Sequence, residues 1–93
     1  MKVIYKITYP NGKIYIGSDL TNTLTYFGTV DSKLVELDFS RSEQRDFTVR
    51  KQVIWESDEA SDEEVRKKEI ELIKEHRAND PAVGYNQRPK LVP

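Results

Sequence analysis

The first part of the chain alternates between apolar and polar positions in the manner of paired β-strands. Residues 2–8 are rich in β-branched and aromatic side chains that alternate between two faces. Asn11-Gly12 follows, and this dipeptide is the strongest short signal for a hairpin turn. Residues 13–17 then repeat the strand pattern. The sequence therefore predicts an antiparallel hairpin.

The middle of the chain lacks such regularity until two helix-capping signals appear. Residues 18–30 are dominated by threonine, asparagine, aspartate and glycine and are predicted to form a loop. Asp31 or Ser32 can cap a short helix beyond it. Ser40 with Glu43 three positions later is a capping-box pattern, which predicts another helical turn over residues 41–46.

The last third predicts one strand and one longer helix. Residues 47–55 alternate, with Val53 and Trp55 on the same face, and are predicted to form a third strand. Ser61 with Glu64 is a second capping box. The helix that it starts is expected to run from about residue 62 to residue 76 or 77, before the Asn79-Asp80-Pro81 break.

These elements predict a single domain over residues 1–93 with the order β-β-α-β-α. Three strands form a small, largely antiparallel sheet that the helices must cover, which is an α+β fold. A chain of 93 residues leaves little room for a second domain.

Composition narrows the function classes. The chain has no cysteine, which excludes disulfide frameworks and cysteine-ligated zinc, and no apolar run of membrane-spanning length. We therefore expect a cytoplasmic protein without a membrane partner. The net charge of -1 argues against a strong free-standing DNA binder. The basic residues are nevertheless concentrated at 41–51, 66–68 and 88–90, so a local basic surface is compatible with the sequence.

One residue of the last helix breaks its pattern. At about 100° per residue, Val65, Leu72, Ile73 and His76 fall on one face, and Glu69 lies in the middle of this apolar stripe. A buried carboxylate is costly unless it is paired or binds a cation. Three interpretations follow: a salt bridge to a lysine or arginine, a position at the margin of the stripe, or an acid or metal ligand in a cleft.

Three motifs together resemble the GIY-YIG nuclease family. Val3-Ile4-Tyr5 and Tyr15-Ile16-Gly17 flank the hairpin turn and resemble its signature, with Val3 in place of the first glycine. The segment from Glu69 to Lys74 resembles the acidic helix of the family, and Gly84-Tyr85-Asn86 its closing motif. Each motif is short, but their order and spacing extend the resemblance over nearly the whole chain.

The resemblance implies a divalent-metal-dependent endonuclease that hydrolyses phosphodiester bonds in DNA. Glu69 would bind the metal, Mg²⁺ or Mn²⁺, and Tyr5 or Tyr15 would act on the attacking water. Gly17 would allow close backbone approach, and Asn86 would hold the site together by hydrogen bonding. Without the other motifs, cross-strand aromatic pairing would be the better explanation of the two tyrosines.

The sequence departs from the family at the cation that contacts phosphate. Family members carry an arginine shortly after Tyr-Ile-Gly, whereas residues 18–29 contain neither arginine nor lysine. Lys33 is the first substitute that we predict and Arg50 the second, followed by Arg41 and Arg45. Tyr26 is predicted either to line the site or to anchor the loop.

Three functions remain open at this level. The first is the DNA endonuclease, which would need a protein partner or self-association for targeting. The alternative is a catalytically inactive module of the same fold that binds nucleic acid or a protein partner. The third is a purely structural interaction domain.

Overall fold

A three-stranded antiparallel sheet is the centre of this α+β protein. The computed structural model describes residues 1–92. Its elements are β1 (Lys2–Thr8), β2 (Ile14–Asp19), α1 (Ser32–Leu37), α2 (Arg41–Gln44), β3 (Arg50–Ser57) and α3 (Asp62–His76). The strand order is β2-β1-β3, and β1 pairs antiparallel with both neighbours. The predicted sheet is confirmed, and the helical turn predicted over residues 41–46 is present as α2, which makes the order β-β-α-α-β-α.

Both faces of β1 are covered, because its side chains pack in two separate apolar clusters. Ile4 packs with Ile16 and with α3 in the first cluster, which also contains Ala78. Tyr5 and Ile7 pack on the other face; the rest of that second cluster is Tyr9, Val35, Phe39 and Tyr85. A central strand buried on both faces explains why apolar residues occupy both parities of residues 3–7.

The hairpin forms as its sequence predicts, but its second strand extends to Asp19, so Ser18 and Asp19 belong to β2 and not to the predicted loop. Gly12 has a φ of +86°, a conformation that glycine adopts without steric cost, and its N–H donates to the carbonyl of Tyr9. The register places Tyr5 opposite Gly17 and Tyr15 opposite Ile7. The two tyrosines are therefore diagonal neighbours and not a direct cross-strand pair.

The third strand differs from the prediction in its limits and in its alternation. It runs from Arg50 to Ser57, later than the predicted 47–55. Its pairing with β1 contains a β-bulge, because Tyr5 pairs with Val53 whereas Ile4 pairs with Trp55. The extra residue, Ile54, shifts the alternation by one position. Ile54 and Trp55 both pack against the first cluster, and Val53 is exposed.

The helix boundaries follow local capping. The Asp31 side chain caps α1, and both predicted capping boxes, Ser40 with Glu43 and Ser61 with Glu64, are present with reciprocal hydrogen bonds. Helix α3 ends at Arg77, which is left-handed with a φ of +58°. Within residues 1–92, none of the helices has the length and apolarity that crossing a bilayer requires.

The segment after α3, residues 77–92, is the closing segment. It returns to the sheet and covers the outer edge of β2. The N–H of Ile14 donates to the carbonyl of Val83, and the N–H of Tyr85 donates to the carbonyl of Ile14. Gly84 lies between these bonds, and a Cβ there would be 2.7 Å from the Ile14 oxygen. Only glycine permits this close approach, so the Gly84-Tyr85-Asn86 motif has a clear backbone requirement.

Candidate active site

Glu69 lies half-buried where α3 crosses the edge of the sheet at β2. Its Oε2 accepts a hydrogen bond of 2.8 Å from the hydroxyl of Ser18. Within residues 1–92, no lysine or arginine lies within ion-pair distance of this carboxylate, not even Arg66 one turn earlier on the same helix. The structure therefore does not support the salt-bridge interpretation of this residue. Its half-buried position fits a site at the margin of the stripe as well as a ligand in a cleft.

A cavity of about 370 Å³ brings three of the predicted catalytic residues together. Tyr15 from the hairpin, Glu69 from α3 and Asn86 from the closing segment all line it. The remaining lining residues come from the stretch before α1, from α3 and from the closing segment: Thr29, Val30, Asp31, Ile73, Tyr85, Gln87 and Arg88. Residues distant in sequence thus meet at one edge of the sheet.

Asn86 is held in this cavity by the backbone of β2. Its Oδ1 accepts from the N–H of Ile16 at 2.9 Å, and its Nδ2 donates to the carbonyl of the same residue at 2.8 Å. The side-chain amide thus makes the two backbone hydrogen bonds that a neighbouring strand would make with Ile16. Asn86 therefore joins the closing segment to the hairpin, beside Tyr15, which is the structural part of the role that we predicted for it.

Tyr5 lies away from the cavity lining, with only 1% of its surface exposed. Its ring sits against Gly17, where a Cβ would be 2.7 Å from the Tyr5 Cζ. The space beside Gly17 is thus filled by the buried ring of Tyr5, and Gly17 does not line the cavity, so its expected approach to a substrate stays a prediction. Burial, with smaller contributions from Tyr15 and Tyr26, raises the pKa of the Tyr5 phenol above its ordinary value of 10. Tyr5 is therefore protonated at neutral pH.

Gly28 packs against both tyrosines of the signature. It has a φ of +86°, and a Cβ on it would clash with the Tyr5 hydroxyl and lie 2.9 Å from the Tyr15 Cε2. The position thus requires glycine for two reasons: its backbone conformation and the lack of space. Gly28 places the loop directly against the two residues that the resemblance assigns to catalysis.

Two charged side chains, Asp19 and Lys51, form hydrogen bonds with the loop that follows β2. The Asp19 carboxylate accepts from the N–H and hydroxyl of Thr21 and from the N–H of Thr23, and these bonds lower the pKa of Asp19 despite the opposing effect of its desolvation. Lys51 on β3 donates to three loop carbonyls, those of Thr23, Leu24 and Tyr26. The same ammonium lies 4.9 Å from the centre of the Tyr5 ring.

Tyr26 belongs to this supporting structure. Its ring meets that of Tyr5 edge to face, with centroids 6.0 Å apart, and its carbonyl accepts from Lys51 at 2.7 Å. Tyr26 is not among the residues that line the cavity. Of its two predicted roles, the geometry favours the loop anchor.

The predicted substitute cations lie elsewhere. Lys33 is exposed near the start of α1, and Arg50 is exposed at the start of β3, the strand farthest from β2. Neither lines the cavity; Arg88 does. The sequence signal for Arg88 was the basic cluster at 88–90, immediately after the closing motif. Ser18, Gly28 and Lys51 were also missed, because their roles depend on contacts between distant segments.

The donor atoms around Glu69 suit a hard cation. Residues 1–92 contain no group of three or more histidine, cysteine, aspartate or glutamate side chains arranged to hold a metal. Two carboxylates, Glu69 and Asp31, line the cavity, and the Oδ atoms of Asp31 already accept from the Lys33 N–H and from Gln87. A single free carboxylate fits Mg²⁺, which retains most of its waters, and does not fit a structural zinc site.

Comparisons with protein-family models, with curated proteins and with solved structures give no match. A family assignment therefore has only the motifs and the geometry to support it.

Proposed function

We propose that this protein is a divalent-metal-dependent endonuclease of the GIY-YIG type that hydrolyses phosphodiester bonds in DNA. The observation that carries the proposal is the unpaired carboxylate of Glu69 in the same cavity as Tyr15, with Asn86 fixed beside them. Glu69 was singled out from helical periodicity, and it coincides with the residue that the resemblance assigns to the metal. The two arguments are independent.

Each residue has a distinct role in the proposed reaction. Glu69 would hold Mg²⁺ or Mn²⁺, and Ser18 fixes one of its carboxylate oxygens. The chemistry supplied by a cation held there would be stabilisation of negative charge on the phosphate and on the leaving oxygen. Tyr15 lines the cavity and orients the attacking water. To act as the base, its phenol would first release its own proton to solvent, which a nearby cation would favour, and would then accept the proton of the water. Tyr5 is buried with a raised pKa, so it positions the loop and Tyr15 and does not act as the base.

The second candidate is the catalytically inactive module that binds nucleic acid or a protein partner. It is favoured because neither predicted substitute for the family arginine, Lys33 or Arg50, lines the cavity, where Arg88 is the sole lysine or arginine among the described residues. Phosphoryl transfer depends strongly on positioned positive charge. The net charge of -1 also predicts weak, non-specific binding by the isolated domain. Under either candidate, targeting requires a protein partner or self-association, and a cytoplasmic location stays a prediction.

The deciding experiment is nicking of supercoiled plasmid with Mg²⁺ or Mn²⁺. We expect the parent protein to convert the plasmid to open circles and Glu69→Ala to have no activity. Glu71→Ala is the matched control, because Glu71 is an exposed carboxylate on the same helix and is paired with Lys68. A parent that binds DNA without nicking it supports the inactive module, and a parent that does neither supports the structural domain.

A further inference from the structure

Arg88 occupies the rim of the candidate site from an unexpected part of the chain. It lines the cavity that contains Tyr15 and Glu69, where it is the sole lysine or arginine among the lining residues of the described chain. It also lines a second cavity of about 270 Å³, together with Glu69 and Arg66. Arg88 and Glu69 therefore border the same two cavities.

The backbone around Arg88 is anchored on both sides. Two residues earlier, the Asn86 amide is bonded to Ile16 on β2. One residue later, the carbonyl of Pro89 accepts a hydrogen bond of 2.8 Å from Nδ2 of Asn79, a buried side chain just beyond α3. The segment carrying Arg88 is thus tied to the sheet at one end and to the helix terminus at the other.

The guanidinium of Arg88 forms no salt bridge with the described residues. Arg88 is exposed and forms no ion pair with any residue in 1–92, although the carboxylates of Asp31 and Glu69 line the same cavity. A carboxylate and a guanidinium that border one opening without pairing leave room between them for a group that interacts with both. A phosphate with a bound cation is such a group, because its oxygens bind metal on one side and arginine on another.

We propose that Arg88 binds the non-bridging oxygens of the backbone phosphate held at Glu69; this rests on the proposed function. It supplies the positive charge that we expected from Lys33 or Arg50. Arg66 is the weaker alternative, because it borders only the second cavity. Arginine presents a planar, always-charged fork to phosphate, so lysine at this position preserves the charge and loses the bidentate contact.

The test measures DNA binding and cleavage separately for Arg88→Ala, Arg88→Lys and a matched control, Lys67→Ala. Lys67 is an exposed cation on α3 that borders neither cavity, so its removal changes the net charge equally. Binding to a fluorescent 20-base-pair duplex is followed by anisotropy in EDTA across a salt series. Single-turnover cleavage is then measured with saturating Mg²⁺, and circular dichroism checks the fold of each variant.

We expect Arg88→Ala to reduce the slope of log affinity against log salt by about one, as loss of a phosphate contact does, and to cut at least about 10-fold more slowly than Lys67→Ala. Arg88→Lys should restore the slope and only part of the rate. If Arg88→Ala matches Lys67→Ala in both assays while the parent cuts, the inference is wrong and the proposed function stands. A parent that shows the Arg88-dependent slope without cutting supports the contact and contradicts the nuclease. A parent that neither binds nor cuts overturns both.

Discussion

Ser18 on β2 and Glu69 on α3 are joined by a 2.8 Å hydrogen bond from the serine hydroxyl to Oε2 of the carboxylate. Ser18 directly follows Gly17, so the end of the hairpin signature orients the acidic residue of the last helix. Within residues 1–92, Oε1 of Glu69 has no hydrogen-bond partner of its own. The bond therefore fixes the carboxylate while leaving one oxygen for a ligand.

Glu69→Gln is expected to abolish divalent-metal binding and DNA cleavage while the fold remains intact or becomes more stable. The amide retains an oxygen that can accept from Ser18, and neutralising the side chain removes the cost of a half-buried charge. Calorimetric titration with Mn²⁺, plasmid nicking and thermal melting measure the three effects. Glu71→Gln is the control and should behave as the parent does. A Glu69→Gln variant that cuts at the parental rate would show that the carboxylate is not needed.

Tyr15→Phe is expected to slow cleavage at least about 100-fold, the usual scale for loss of an acid–base group. Tyr5→Phe should cost less, because the Tyr5 hydroxyl is buried and its pKa is raised. Both changes keep the aromatic ring, so thermal stability should change little. Single-turnover rates at saturating metal compare the two variants. The opposite order of rates would assign the base to Tyr5.

Gly28→Ala is expected to destabilise the protein and to reduce cleavage, because the new methyl group meets both Tyr5 and Tyr15. Gly12→Ala is a well-matched control: Gly12 has the same φ of +86°, but nothing lies within 4 Å of the added Cβ. Adopting this backbone conformation costs alanine about 1–2 kcal/mol. We expect Gly12→Ala to show only this loss and Gly28→Ala a larger one, measured by urea unfolding. Equal losses would mean that the loop moves aside freely.

Asp38→Asn is expected to reduce stability at neutral pH and to have a diminishing effect in acid. Hydrogen bonds from Lys13 and from the Tyr85 hydroxyl hold the pKa of Asp38 below its ordinary value of 3.8. Because the folded-state pKa is the lower one, this contribution is present above pH 3.8 and is lost as the pH falls through the folded-state value. Urea unfolding of parent and variant from pH 7 to pH 2 measures the difference. A difference that stays constant over this range would contradict the assignment.

Local signals in the sequence were sufficient for the hairpin and the helix starts. The capping boxes at Ser40 and Ser61 involve side chains and N–H groups only three positions apart, so the sequence contains all the partners. Glu69 could also be identified, because helical periodicity alone places it on the apolar stripe. Each of these features depends on a few consecutive residues.

Features that depend on pairing between distant segments could not be predicted from the sequence. The bulge at Ile54 arises from how β3 matches β1, and one extra residue reverses the side-chain alternation that the sequence suggested. The roles of Gly28 and Arg88 depend on tertiary contacts: the loop packs against Tyr5, and the closing segment packs against β2. Lys33 was predicted because it is near the signature in sequence. Proximity in sequence was not sufficient, since Lys33 does not line the cavity.

The attachment of Asn86 to Ile16 has a consequence for the order of folding. The two residues are separated by 70 positions, so their contact closes one of the longest loops in the chain, and its entropic cost must be offset by structure formed earlier. We expect the hairpin, β3 and α3 to assemble first and the closing segment to dock afterwards. An incompletely folded chain then has the hairpin and α3 but lacks one wall of the cavity, so the candidate site is completed only in the last step of folding.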